Sequence, residues 1–162
     1  MPSTSARTRI EALSNHLATT APTPSNQKMS TEKKPSITCH VLDTTIGRPG
    51  SSIPVVLTLL NPLSSSDSTL KFSATTNSDG RVTSWKPSSP FSASSLEDVF
   101  HENGDKNYSL TFDTERYFGD RGIKTFFPEV EVKFVVREEQ KGEHFHVPVL
   151  LGPFGYTTYR GS

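Results

Sequence analysis

From Ser36 onward, apolar and polar positions alternate with a period of two, the spacing of a strand with one buried face. In ITCHVLD (37–43), Cys39 and Val41 face one way, and Thr38, His40 and Leu42 the other. SIPVVLTLLN, TLKFSATT and RVTSW follow, separated by clusters of Gly, Pro, Ser and Asp. NYSLTFD runs into TERYFGDRG, whose pattern predicts a short helix with Asp113 as N-cap and Gly119 or Gly122 as its stop. In VEVKFVV, Val130, Val132, Phe134 and Val136 share a face opposite Glu131, Lys133 and Val135. HFHVPVLL puts Phe145, Val147, Val149 and Leu151 toward the core and His144, His146, Pro148 and Leu150 on the other side. GPFG is a turn, and YTTYR is predicted as a last strand in which Thr157 and Tyr159 share a face. Seven or eight short strands and one helix predict an all-β, antiparallel sandwich.

Ahead of this pattern the composition changes. Residues 18–35 (ATTAPTPSNQKMSTEKKP) are rich in Ser, Thr, Pro and Lys, with almost nothing to bury, and read as a disordered linker. Within residues 1–17, Ile10, Leu13 and Leu17 fall on one helical face, predicting a short amphipathic helix too small to be stable alone. The chain therefore divides into 1–17, 18–35 and a domain at 36–162. Arg9-Ile10, five residues, then His16-Leu17 resembles the N-terminal peroxisomal targeting signal. That resemblance implies an import receptor as partner and a peroxisomal location, with the cytoplasm as a second one. Met29 offers a second start that would delete the signal.

Charge and cysteine content narrow the function classes. Seventeen basic and 17 acidic residues cancel, which removes the electrostatic case for nucleic acid or an anionic membrane surface as partner. The longest apolar run, Val55 to Leu60 with one Thr inside it, is far below the roughly 20 residues of a membrane-spanning helix. Cys39 is the single cysteine, so no internal disulfide forms, and its place in an alternating strand predicts a buried, inert thiol.

The polar face of the sheet carries the candidate chemistry. A face holding His40 and His146 together with Leu150 and Tyr159 is one that something covers, which predicts an oligomer interface. If the strands of His40 and His146 are neighbours, two imidazoles meet there. His-x-His plus a third His could bind zinc, although no Cys, Asp or Glu lies nearby at a ligand spacing. The other chemistry is metal-free: a neutral His draws a proton from water, and a fixed cation stabilises the oxyanion. Arg81, following the turn in NSDGRVTSW, is the candidate cation.

Three stretches, HVLDTTIGRPG (40–50), GRVTSW (80–85) and HVPVLLGPFGYTTYRGS (146–162), resemble the 5-hydroxyisourate hydrolases of the transthyretin-related family, and the likeness extends over Ser36 to Ser162. The final YRGS is the mark that separates these hydrolases from the hormone-carrying members. The resemblance implies a transthyretin-like sandwich of two four-stranded sheets, assembled as a homotetramer with sites in a central channel. It implies hydrolysis of 5-hydroxyisourate to 2-oxo-4-hydroxy-4-carboxy-5-ureidoimidazoline, without metal or other cofactor. By match, His40, Arg81 and His146 are catalytic, and Tyr159, Arg160, Gly161 and Ser162 bind substrate, Tyr159 by contact with it; His144 stays outside the site. A chain ending at Ser162 is expected to leave the channel open where a longer tail would block it. Gly152 and Thr157 stand where the family commonly has Ser. The alternative within the same family is a carrier of a small apolar ligand, which a channel lined by Arg and two His disfavours.

Overall fold

The structure is a computed structural model that describes residues 34–60, 70–89 and 94–162, all within one unit, Lys33–Ser162. The predicted helix at 1–17, the targeting residues Arg9, Ile10, His16 and Leu17, and nearly all of the predicted linker lie outside the described residues. Among those described, no helix is long and apolar enough to cross a membrane.

Two sheets face each other across a hydrophobic core. The first holds β1 (Ile37–Asp43), β2 (Arg48–Pro49), β5 (Arg81–Val82), β9 (Phe145–Gly152) and β10 (Gly155–Thr158), in the order β10-β9-β1-β2 with β5 also on β1. The second has the order β6-β4-β3-β7-β8, from β3 (Pro54–Leu59), β4 (Lys71–Thr75), β6 (Lys86–Pro87), β7 (Lys106–Asp113) and β8 (Glu129–Val136). The all-β sandwich expected from period-two patterning is thus observed, with three departures in detail. Each sheet has five strands rather than four: β2 and β6 are two-residue pairings too short to leave an alternating signature, and β5, expected over RVTSW, pairs only at Arg81–Val82. β1 and β9 pair in parallel, Ile37 opposite Phe145 through Asp43 opposite Leu151, so the first sheet is mixed. Helix α1 (Leu96–Phe100) accompanies the expected helix α2 (Thr114–Gly119), and a 3-10 turn spans Glu138–Gln140.

Alternation placed the core side chains as expected. Ile37, Cys39 and Val41 of β1 and Val147, Val149 and Leu151 of β9 are buried against Val55, Leu57, Leu110, Phe112 and Val130 of the other sheet. Burial pushes the Cys39 thiol up to about 12, as befits an inert core residue. Asp113 caps α2, accepting from the Arg116 amide at 3.0 Å. α1 starts in a capping box between Ser95 and Asp98 and buries Leu96, Val99 and Phe100. Its Glu97 accepts from both the backbone N–H and the hydroxyl of Ser36, at 2.8 and 2.7 Å, and so fixes where the chain enters β1.

Two local features hold β1 for its task. Buried Asp43, at its end, accepts from the Thr45 amide at 2.8 Å, the Thr45 hydroxyl at 2.5 Å and the Tyr117 hydroxyl at 2.8 Å, tying the β1–β2 turn to α2. The turn before β5 is pressed onto β1: Gly80, at φ +72°, accepts from the Val41 amide at 2.8 Å. A Cβ at Gly80 would lie 2.3 Å from the Val41 carbonyl oxygen, so this approach requires glycine. The Asn77 side chain closes the same turn by accepting from the Asp79 and Arg81 amides.

Candidate active site

Register brings the three polar residues together. His40 and Arg81 are direct Cα partners across β1 and β5. His146 sits on β9 opposite Thr38, one alternation along β1 from His40, so both imidazoles emerge on the same face of the first sheet. Their ring centroids are 6.3 Å apart, with planes inclined at 32°.

The electrostatics keep both rings in the basic form. Desolvation lowers the His40 pKa below the usual 6.5, and the Arg81 guanidinium lowers it further; a backbone hydrogen bond to Asp79 and the Asp79 charge oppose this. His146 is lowered first by desolvation, then by Arg81, His40, His144 and Lys34. At neutral pH each ring therefore has a lone pair available, beside a permanent cation.

Two residues outside the expected set belong to this cluster. The Thr38 hydroxyl lies 2.8 Å from His146 Nδ1 and 2.9 Å from His144 Nε2, and the two histidine rings stack with centroids 6.4 Å apart. His144 thus shares a hydroxyl with His146. The period-two spacing of HFH placed both rings on one side; what made Thr38 their common partner is the β1–β9 register, which sequence does not display.

The segment Tyr159–Ser162 is placed unevenly. Gly161 packs on the site, its amide donating to the His146 carbonyl at 2.9 Å, and a Cβ there would lie 2.7 Å from His146 Cδ2. Tyr159 falls beyond the last residue of β10, is 59% exposed, and lines a cavity of about 260 Å3 with Val132, Phe134, Phe145, His146 and Arg160. The Arg160 guanidinium is engaged elsewhere, paired with Glu143 and lying over the Phe145 ring. Ser162 is exposed beside Gly161. Among the described residues, no three His, Cys, Asp or Glu side chains converge to hold a metal ion.

Residues 37–161 match the model of the HIUase/Transthyretin family. The chain belongs to this family. It is 40% identical over 134 residues to the 5-hydroxyisourate hydrolase of Mus musculus, an alignment covering 83% of this chain and all of that protein. To the probable 5-hydroxyisourate hydrolase of Schizosaccharomyces pombe it is 37% identical over 128 residues, 79% of this chain and 92% of that one. Among solved structures, Klebsiella pneumoniae 5-hydroxyisourate hydrolase superposes with a TM-score of 0.53 at 31% identity, covering 78% of this chain and 92% of its own. In this HIUase/Transthyretin chain, the matched span includes His40, Arg81, His146 and Gly161, so the clustered residues all lie within the family domain.

Proposed function

We propose that the chain catalyses the hydrolytic opening of 5-hydroxyisourate in urate degradation, with water as nucleophile and without a metal. The observation that carries this reading is the convergence of two imidazoles, both held in the neutral form, with one guanidinium on an open sheet face. The family membership and the names of the relatives supply the substrate.

One imidazole takes a proton from water as the water oxygen adds to a ring carbonyl carbon. The oxyanion that forms faces Arg81. On collapse the ring C–N bond breaks, and the imidazolium returns its proton to the departing nitrogen, so that the net change is one water added. General base action supplies roughly 10²–10⁴-fold and a preorganised oxyanion partner roughly 10²–10³-fold. Tyr159, Arg160, Gly161 and Ser162 are assigned to the substrate. For Arg160 this requires leaving its exposed pair with Glu143, which costs about 0–1 kcal/mol.

His146→Ala is the direct test. It should remove the acceleration of hydroxyisourate absorbance decay on freshly generated substrate while leaving the circular dichroism spectrum intact; near wild-type turnover sinks the assignment. Metal analysis and chelator treatment test the metal-free mechanism, since loss of activity on chelation contradicts it.

Two further elements belong to this reading. The working form is a homotetramer that covers the site face, supported by Leu150 at 38% exposure on that face; a monomer in sedimentation at micromolar concentration contradicts it. The location is the peroxisome, supported by the motif Arg9-Ile10-(five residues)-His16-Leu17. Identical cellular distributions of tagged full-length protein and a product starting at Met29 would overturn it.

A further inference from the structure

We propose that a hydrogen-bonded chain running from the Pro35 carbonyl through His144 and Thr38 sets the tautomer of His146, leaving Nε2 of that ring as the unprotonated base. For its kinetic consequences this rests on the hydrolysis proposed above; the tautomer itself is a property of the resting protein.

The protons available along the chain fix its direction. His144 shares a hydrogen bond with the backbone of Pro35. Proline has no N–H, so its carbonyl is the acceptor and the imidazole must donate. His144 Nε2 faces Thr38 Oγ1 at 2.9 Å, which leaves Nδ1 for Pro35. A neutral imidazole carries one N–H; with it committed to Pro35, Nε2 is a lone pair and the Thr38 hydroxyl donates to it. A hydroxyl has one proton, so Thr38 can only accept from its second partner, His146 Nδ1, at 2.8 Å. His146 is thereby Nδ1–H, and its Nε2 is left bare.

Each link is held in place. Thr38 is 3% exposed and pairs with β9, directly opposite His146. The Pro35 end is anchored by the two bonds from Ser36 to Glu97. Protonating His144 would break the polarity of the chain. The charges facing it are Lys34, which disfavours that proton, and Glu97, which favours it; desolvation is the largest influence, and the pKa lies below 6.5. Around His146 the charges are Arg81, His40, His144 and Lys34, all opposing protonation. On the other edge of the His146 ring, Gly161 approaches Cδ2, so the ring cannot swing away to another partner without displacing the backbone. Thr38 and His144 are positioning residues: neither needs to touch substrate.

The test is imidazole nitrogen NMR on the full-length protein labelled with 15N-histidine, at neutral pH, combined with kinetics of Thr38→Val and Thr38→Ser. In the wild type, His146 should be protonated at Nδ1 and bare at Nε2; Nε2–H in the wild type overturns the proposal and needs no variant to show it. Thr38→Val should release the tautomer toward Nε2–H and lower kcat by about tenfold or more, within the roughly 10²–10⁴-fold a general base supplies, with KM little changed. Thr38→Ser should restore both. A Val variant that keeps the Nδ1–H tautomer, or a Ser variant as impaired as Val, also overturns it. A wild type with the expected tautomer but no hydrolysis leaves this proposal standing and removes the activity reading. An active wild type carrying Nε2–H does the reverse.

Discussion

Gly161→Ala puts the smallest possible addition against the site, and the structure gives its consequence. The new Cβ would lie 2.7 Å from His146 Cδ2, 3.0 Å from Pro148 Cγ and 3.2 Å from Pro148 Cδ. Carbon atoms in contact sit about 3.5–4.0 Å apart, so the segment must retreat by roughly 1 Å. Neither neighbour can yield instead: the His146 ring is tied through Nδ1 to Thr38, and the Pro148 ring is buried in β9. The retreat breaks the bond from the Gly161 amide to the His146 carbonyl, worth about 1 kcal/mol. That is a shift in Tm of only about 2–4 °C for a domain of this size. A displacement of 1 Å at a catalytic group costs up to about 10²-fold in rate. The variant should therefore lose roughly 10- to 100-fold in kcat/KM for 5-hydroxyisourate while melting almost as the wild type does. The measurement is the initial decay of substrate absorbance over a concentration series, alongside thermal denaturation. A kcat/KM indistinguishable from wild type would mean that Gly161 does not rest on His146 when the site turns over, and would overturn this account.

The remaining expectations concern charge and buried polar groups. Arg81→Glu should lower kcat by roughly 10²–10³-fold with an unchanged melting temperature, and should move the acid limb of any residual activity to higher pH, since Arg81 is a cause of the lowered pKa of both His40 and His146. An acid limb that stays in place contradicts the electrostatic coupling. In the wild type that limb should fall below the ordinary histidine value of 6.5, read from kcat/KM against pH. The same depression acts on stability: the unfolded chain binds protons first, so the contribution of these rings is complete above 6.5 and is lost as pH falls through their folded values, visible as a falling urea midpoint. Tyr117→Phe should cost about 1–3 kcal/mol in urea unfolding, because it strips a donor from the buried Asp43 carboxylate; a change below about 0.5 kcal/mol refutes that account.

How much of this was legible in the sequence follows from the range of each interaction. Alternation in ITCHVLD, VEVKFVV and HFHVPVLL is a local property, and it assigned inner and outer faces correctly because buried sheets leave it in the residues themselves. The Asp113 cap was readable for the same reason. β2 and β6 were not, since two residues make no period, and β5 was readable only as part of the longer stretch RVTSW. The parallel pairing of β1 with β9 joins segments about a hundred residues apart, and nothing local distinguishes a parallel from an antiparallel partner. Asp43 illustrates the limit from another side: in sequence it is a polar residue before a turn, yet it is fully buried because Tyr117 and Thr45 meet it there.

The candidate site lies on that same boundary. HFH displays two rings on one side of a strand, and HVLD a third on its own strand, but whether they meet depends on how β1 and β9 align. A one-residue slip would flip one strand relative to the other and put His40 and His146 on opposite faces. A two-residue slip would keep the faces and still remove Thr38 from its position opposite His146. β5 puts Arg81 beside His40, and only the observed β1–β9 register then brings the His146 ring within 6.3 Å of His40 and sets one hydroxyl between His144 and His146. The determinants of that register are apolar: Cys39 opposite Val147 and Val41 opposite Val149 seat both strands in the same core. The chemistry of the polar face is therefore aligned by the packing of the other face, which is why substitutions of core residues in β1 or β9 that preserve stability but shift the pairing should be as damaging to activity as changes to the histidines.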